Sequence, residues 1–264
     1  MRVITLVENT ALSPEMEAEH GLSLLIEPNG RRLLFDMGQS PAFARNAQRL
    51  GIDLGTVDTA ILSHGHYDHG GGLAEFLRQN TAAPVYLSSF AFEPHFNGPE
   101  RNIGLCPSLR DCGRLRFVEA NTDLGDGLSL SPCIGAVPVV PVDPAGLFTR
   151  WEGSLLPEDF RHEQYLTAEA DGRRIVFSGC SHRGILNIVH WLRPDVLIGG
   201  FHFKHLDLQK PEHRAALEDT ARRLLDSGAV FYTCHCTGEA AYRFLKERMG
   251  DRLHTLSTGS ILTL

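Results

Sequence analysis

Ser63-His64-Gly65-His66-Tyr67-Asp68-His69-Gly70-Gly71-Gly72 gathers three imidazoles, one carboxylate and four glycines into one turn, directly after the apolar segment 57–62. Neutral imidazole and carboxylate are donors that borderline cations such as zinc accept, whereas a structural zinc site more usually offers four cysteine or histidine donors and no acid. His64 and His66, two apart on an extended chain, project to one side and can share an ion. Asp68 and His69 lie past the bend and can reach a second ion. The glycines allow the backbone to turn and to start the helix expected over 73–79 close against the site. The alternative is a solvated loop that happens to be rich in histidine; the spacing, with a strand before and a helix after, favours metal.

Further motifs are spread along the chain: Val7-Glu8-Asn9-Thr10, Glu19-His20-Gly21-Leu22-Ser23, Leu34-Phe35-Asp36-Met37-Gly38, Ser178-Gly179-Cys180-Ser181-His182, Gly199-Gly200-Phe201-His202 and His235-Cys236-Thr237-Gly238. Together with His-x-His-x-Asp-His after a strand, they resemble the metallo-β-lactamase superfamily, and within it the branch named after the dihydropterin–ribofuranosylaminobenzene-phosphate synthase of methanopterin biosynthesis. The resemblance runs from Val3 to about Ile261. It implies an α/β fold, a four-layer αββα sandwich, and a metal-dependent enzyme; it says little about substrate.

Composition sets the outer bounds. A chain of 264 residues with no linker, charge run or low-complexity tract reads as one domain over 1–264. A net charge of −7 and a pI near 6.0 offer no basic footprint, so nucleic acid is not the expected partner; a small-molecule substrate is what the enzyme reading implies. The apolar start is too short for a signal-peptide core and no stretch is long enough to span a bilayer, so no membrane association and a cytoplasmic location are expected. Six cysteines without the spacing of a disulfide scaffold are expected to be reduced.

Periodicity predicts strands over 2–7, 22–27, 32–35, 57–62 and 84–87, with a helix over 41–50 opened by Ser40-Pro41 and Pro28-Asn29-Gly30 as a hairpin turn. The stretch 88–126, dense in Gly, Pro, Asn and Arg, reads as irregular and as the part that shapes access to the site. Strands follow over 134–142, 164–170 and 173–178, the last two joined by Asp171-Gly172. A helix over 185–192, a strand over 196–198, a helix over 211–225, a strand over 230–232, a helix over 239–246 and short strands over 253–256 and 260–264 complete the chain.

Three more histidines, His182, His202 and His235, stand just past the C-terminal ends of predicted strands, where loops converge. By resemblance His235 is the last metal ligand of the superfamily and His182 belongs to a motif of the branch; His202 is placed at the rim, as a ligand or a substrate contact. Hydrolytic members of the superfamily carry an aspartate that bridges two metals where this chain has Cys180. The third-histidine motif is also missing in its standard form, with Glu163 near its place. His182 is therefore chosen to complete the first site. Asp36 is expected to buttress a ligand histidine through its second nitrogen. Glu19 and His20 read as structural, while His95, His162, His190, His205, His213 and His254 read as surface or loop residues. Arg101, Arg110, Arg114 and Arg116 read as a solvated basic loop, with an anion pocket as the alternative.

The resulting reading is a hydrolase that uses a metal-activated water on a small ester, phosphoester or related substrate. His64, His66, Asp68, His69, His182 and His235 hold Zn2+, as one or two ions, with Mn2+ or Fe2+ as alternatives, and Cys180, Asp36 and Glu163 stand as further ligands or their supports. Asp68 and His202 are assigned the catalytic roles. Two alternatives remain open: a metal-dependent synthase condensing a phosphorylated ribose donor and an aromatic acid with a pterin, and a non-catalytic ligand-binding protein.

Overall fold

The computed structural model describes residues 1–264. Two seven-stranded sheets face each other, and helices cover both outer faces. The αββα layering that the sequence implied is therefore the fold of the chain.

Alternation along the strands builds the layers, because successive side chains on a strand point to opposite faces. In Arg2–Val7, Val3 faces the second sheet while Ile4 and Leu6 face the helices. In Leu33–Phe35, Leu33 and Phe35 point inward between the sheets and Leu34 points outward. The second sheet repeats this: Ile175, Phe177, Val196 and Ile198 meet the first sheet, and Val176, Leu197 and Phe231 meet helices Ile185–Leu192, Pro211–Asp226 and Glu239–Met249. The core between the sheets comprises 19 buried apolar residues, so neither sheet is stable on its own face alone.

What positions the site is the parallel part of each sheet. Leu33–Phe35, Thr59–Ile61, Val85–Ser88 and Leu115–Val118 run parallel in one, and Arg173–Phe177, Val196–Ile198, Val230–Thr233 and Leu253–Thr255 run parallel in the other. Ligand sites in open α/β sheets lie outside the carboxyl ends of such strands. Asp36, the 63–72 turn, Cys180, His202 and His235 each follow one of those ends.

Two segments depart from the expectation. Residues 134–142 are not a strand: the strand is Leu128–Ser131, and the chain beyond it is irregular. Pro132, Pro138 and Pro141 remove ladder donors there, and the side-chain oxygen of Asn187 accepts the Val139 and Val140 amides instead. The stretch 88–126 holds more order than its composition suggests. Leu115–Val118 forms the edge of the first sheet, and His95–Asn97 and Arg101–Asn102 join Leu147–Trp151 and Ser154–Pro157 in a separate four-stranded sheet. That small sheet is tied to the 63–72 turn, since His66 bridges to Gly104 and the Tyr67 amide donates to the Ile103 carbonyl at 2.8 Å.

Candidate metal centre

The turn is held from below by one acid. Asp36, in the left-handed conformation at φ 59° and fully buried, accepts the Ser63 amide at 2.7 Å, the Ser63 hydroxyl at 2.7 Å and the His69 Nδ1–H at 2.7 Å. The Ser63 hydroxyl has given its proton to Asp36, so at 2.8 Å it can only accept from His64 Nδ1–H. Both imidazoles are thereby fixed as the tautomer whose Nε2 carries a lone pair. His235 is fixed in the same way from another strand: its Nδ1–H donates to Asn9 Oδ1 at 2.9 Å, and its backbone amide donates to Glu8 at 2.6 Å.

These lone pairs converge. His69 Nε2 lies 3.2 Å from His235 Nε2 and 3.2 Å from Cys180 Sγ, and Asp68 Oδ2 lies 3.3 Å from both His235 Nε2 and His20 Nε2. Two imidazole lone pairs facing each other at such a distance repel unless something positive lies between them. Burial disfavours the charged form of His69, yet Asp36 and Asp68 outweigh it and lift its pKa to about 9, so without a cation between the rings a proton occupies His69 Nε2, and a metal would have to displace that proton. For Asp68, burial is again overcome, here by His69 and His235, and the carboxyl is held well below the usual range.

A second set adjoins the first. One ring nitrogen each from His64, His66 and His182 lies within 4.8 Å of the others. His64 Nε2 and both nitrogens of His182 are buried without a hydrogen-bond partner. Burial, followed by the mutual repulsion of the rings, holds His64, His66 and His182 well below the ordinary imidazole pKa, so they stay neutral and keep their lone pairs. Cys180 Sγ falls within the same reach of His64 with His69, of His182 with His202, and of His235 with Cys236, which sets it between the two groups. Unpartnered buried nitrogens are costly unless another atom claims them, and this donor set of neutral imidazoles, one carboxylate and one thiol fits a borderline divalent cation.

The remaining residues support or line this centre. Glu163 faces away from it: its oxygens accept the His182 amide at 2.8 Å, the Arg183 amide at 3.1 Å and the Tyr165 hydroxyl at 2.6 Å, holding the loop that carries His182. The His182 ring also lies flat on Phe160, centroids 4.6 Å apart. His202, at φ 55°, stands at the rim with its ring centroid 4.2 Å from that of His182. A cavity of about 370 Å³ opens over the centre, with Asp68, His202, Arg101 and Lys204 in its wall. Of the four arginines singled out in the sequence, Arg101 alone lines it; Arg114 is spent on the carbonyls of Asn80 and Leu77, and Arg116 on those of Gly113 and Leu115.

Two expectations need correction. His95 and His162 are not surface residues; both are fully buried beside His66. His20, read as structural, lines the cavity with its ring 4.6 Å from that of His235. No local signal marks His95 or His162, because their partners come from distant segments.

The sequence profile of the metallo-beta-lactamase superfamily matches residues 17–216. The 7,8-dihydropterin-6-methyl-4-(beta-D-ribofuranosyl)-aminobenzene-5'-phosphate synthase of Methanocaldococcus jannaschii is 28% identical over 293 residues, spanning 99% of this chain and 96% of that protein. Among solved structures, Tm1679, described as a metal-dependent hydrolase of the beta-lactamase superfamily, superposes with a TM-score of 0.82 at 30% identity, covering 100% of this chain and 99% of its own. Zn2+-bound PqqB from Methylobacterium extorquens shares the fold at a TM-score of 0.59 and 14% identity, with both chains fully covered. Profile and backbone agree, and the chain belongs to the metallo-β-lactamase superfamily.

Proposed function

We propose that the chain is a metal-dependent hydrolase of small, negatively charged esters or phosphoesters, with two divalent ions, Zn2+ by preference, held by two donor sets. His64, His66 and His182 form one set, Asp68, His69 and His235 the other, and Cys180 stands between them. The observation that carries this reading is the tautomer pattern: the Nδ1 atoms of His64, His69 and His235 are each spoken for by Ser63, Asp36 and Asn9, which leaves Nε2 of each ring for an ion, and a ring nitrogen of each lies within 4.8 Å of Cys180 Sγ.

When bound, such an ion polarises a carbonyl or phosphoryl oxygen and brings the pKa of water down to about 7. Asp68, kept ionised and steadied by His20 Nε2–H at 3.3 Å, accepts a hydrogen bond from the attacking water and orients it. His202, whose pKa is raised against the effect of burial by the neighbouring Cys236, donates to the oxygen on which charge develops. Arg101 and Lys204 in the cavity wall supply positive charge toward an anionic substrate.

The same two cations also suit a phosphorylated donor in a condensation, and the full-length relative named as a synthase keeps that second reading in play. The deciding experiment is turnover by protein of measured metal content across phosphodiesters, phosphomonoesters, thioesters, lactones and β-lactams. Metal-dependent release of product from one class supports the hydrolase. No turnover of any class by fully loaded protein moves the assignment to the synthase or to a binding protein.

A further inference from the structure

Behind the metal centre, on the side of His66 away from the two-sheet core, lies a group of buried polar residues that the hydrolytic reading does not use. His95, on the strand His95–Asn97 of the small sheet, is fully buried, as is His162; Glu158 is 4% exposed. The His95 Nδ1–H donates to Glu158 Oε2 at 2.7 Å. The two imidazole rings are tilted by 31° with centroids 3.9 Å apart, and His162 Nε2 stands 3.8 Å from Glu158 Oε1.

Proton accounting decides what the group can do. His95 spends its Nδ1 proton on Glu158, so its Nε2, buried and otherwise unpartnered, is an acceptor. His162 accepts the Gly65 amide at Nδ1, 2.8 Å away, so its proton is on Nε2, toward Glu158. A third ion among His66, His95 and His162 would have to strip His162 of the Gly65 hydrogen bond, although one nitrogen of each ring lies within 4.8 Å of the others. His66 Nε2 and His95 Nε2 are both buried without a hydrogen-bond partner, the two rings meet edge to face with centroids 5.4 Å apart, and one nitrogen of each lies within 4.8 Å of the other. Gly65 closes the arrangement from the backbone: a Cβ there would lie 2.8 Å from His95 Nε2 and 2.2 Å from the Ala91 carbonyl, so the His95 ring packs directly on the peptide between the two donors.

We propose that Glu158 and His95 are positioning residues for His66: a buried carboxylate–imidazole relay that takes the Nε2 proton of His66, presents its Nδ1 lone pair to the metal centre, and couples the small sheet to the donor set. The proposal rests on the metal reading given above. Partners of this kind fix the orientation of a ligand ring and raise its basicity, and their loss typically costs about 10–100-fold in metal affinity.

The test is zinc affinity by competition with a chelating dye, together with the His66 tautomer read by 15N NMR of the metal-free protein, for wild type, His95→Ala and Glu158→Gln. Glu158→Gln keeps the shape and removes the charge, so it tests the relay even if the alanine variant folds poorly. Expected are a loss of about 10–100-fold in affinity for His95→Ala, an intermediate loss for Glu158→Gln, and a wild-type His66 protonated at Nε2 that becomes a mixture in both variants. Unchanged affinity and tautomer in both variants overturn the relay while leaving the metal centre standing. A third ion in wild type that disappears in His95→Ala overturns it in favour of a metal at the trio. Wild type that binds no transition ion sinks the metal reading alone, and the tautomer of the metal-free protein then decides the relay: a His66 tautomer unchanged in both variants overturns it.

Discussion

One oxygen of Asp36 lies 2.7 Å from His69 Nδ1 and 2.7 Å from Ser63 Oγ, so a single buried acid sets the tautomers of two imidazoles, His69 directly and His64 through Ser63. Removing one partner of a buried charged network leaves the others unpaired and costs about 3–5 kcal/mol. Asp36→Ala is therefore expected to lower unfolding free energy by that amount, measured by urea denaturation, and to release metal at the same time. A variant as stable as wild type would show that Asp36 does not organise the turn.

Gly65 has no room for a side chain, because the added carbon would meet the Ala91 carbonyl at 2.2 Å. Overpacking of this kind costs about 1–3 kcal/mol, and here the displaced backbone joins His64 to His66. Gly65→Ala is expected to unfold at lower denaturant concentration and to bind zinc more weakly. Equal zinc affinity would mean that the spacing of the two rings tolerates movement.

Asn187 holds the irregular segment 134–142 in place of a strand ladder. Its oxygen accepts the Val139 and Val140 amides at 2.7 and 2.9 Å, and its nitrogen donates to the Val140 and Arg183 carbonyls at 3.0 and 2.7 Å. Asn187→Ala leaves these groups without partners, at about 1–3 kcal/mol, and limited proteolysis should then cut first within 134–142. Cleavage elsewhere would assign the hold on this segment to other contacts.

Thiol reactivity separates two of the six cysteines by their surroundings. Cys106 is exposed, and hydrogen bonding with Ser108 lowers its pKa, whereas burial pushes Cys133 up to about 11. The thiolate is the reactive form, so near neutral pH Cys106 should be alkylated well before Cys133, with the ratio narrowing as pH rises toward the Cys133 value. Peptide mass spectrometry after brief maleimide treatment reads this directly, and earlier labelling of Cys133 would contradict the burial assigned to it.

Much of this architecture is legible in the chain because its signals are local. His64, His66, Asp68 and His69 share one turn, and Asp171-Gly172 supplies the two positive φ values, 52° and 72°, of the hairpin it was read to form. His182, His202 and His235 declare themselves by standing after apolar runs. What escaped depends on contacts between distant segments. His95 and Glu158 are 63 residues apart and Gly65 and His162 are 97 apart, with nothing in either neighbourhood to suggest the pairing. The apolar composition of 134–142 reads as a strand until its prolines are weighed against the side chain of Asn187, which lies 47 and 48 residues further on and takes over the hydrogen bonds. His20 reads as structural in the sequence for the same reason: Asp68, which it faces, is 48 residues away in the chain.

Imidazole lone pairs gathered to hold cations are the centre of this chain's proposed chemistry, and metal content is their most direct measure. Protein loaded with zinc, dialysed and analysed by inductively coupled plasma mass spectrometry is expected to retain two ions per chain, with one lost in His182→Ala and both lost when His64 and His69 are replaced together in a chain that still folds. Fully folded wild-type protein that retains none would contradict it.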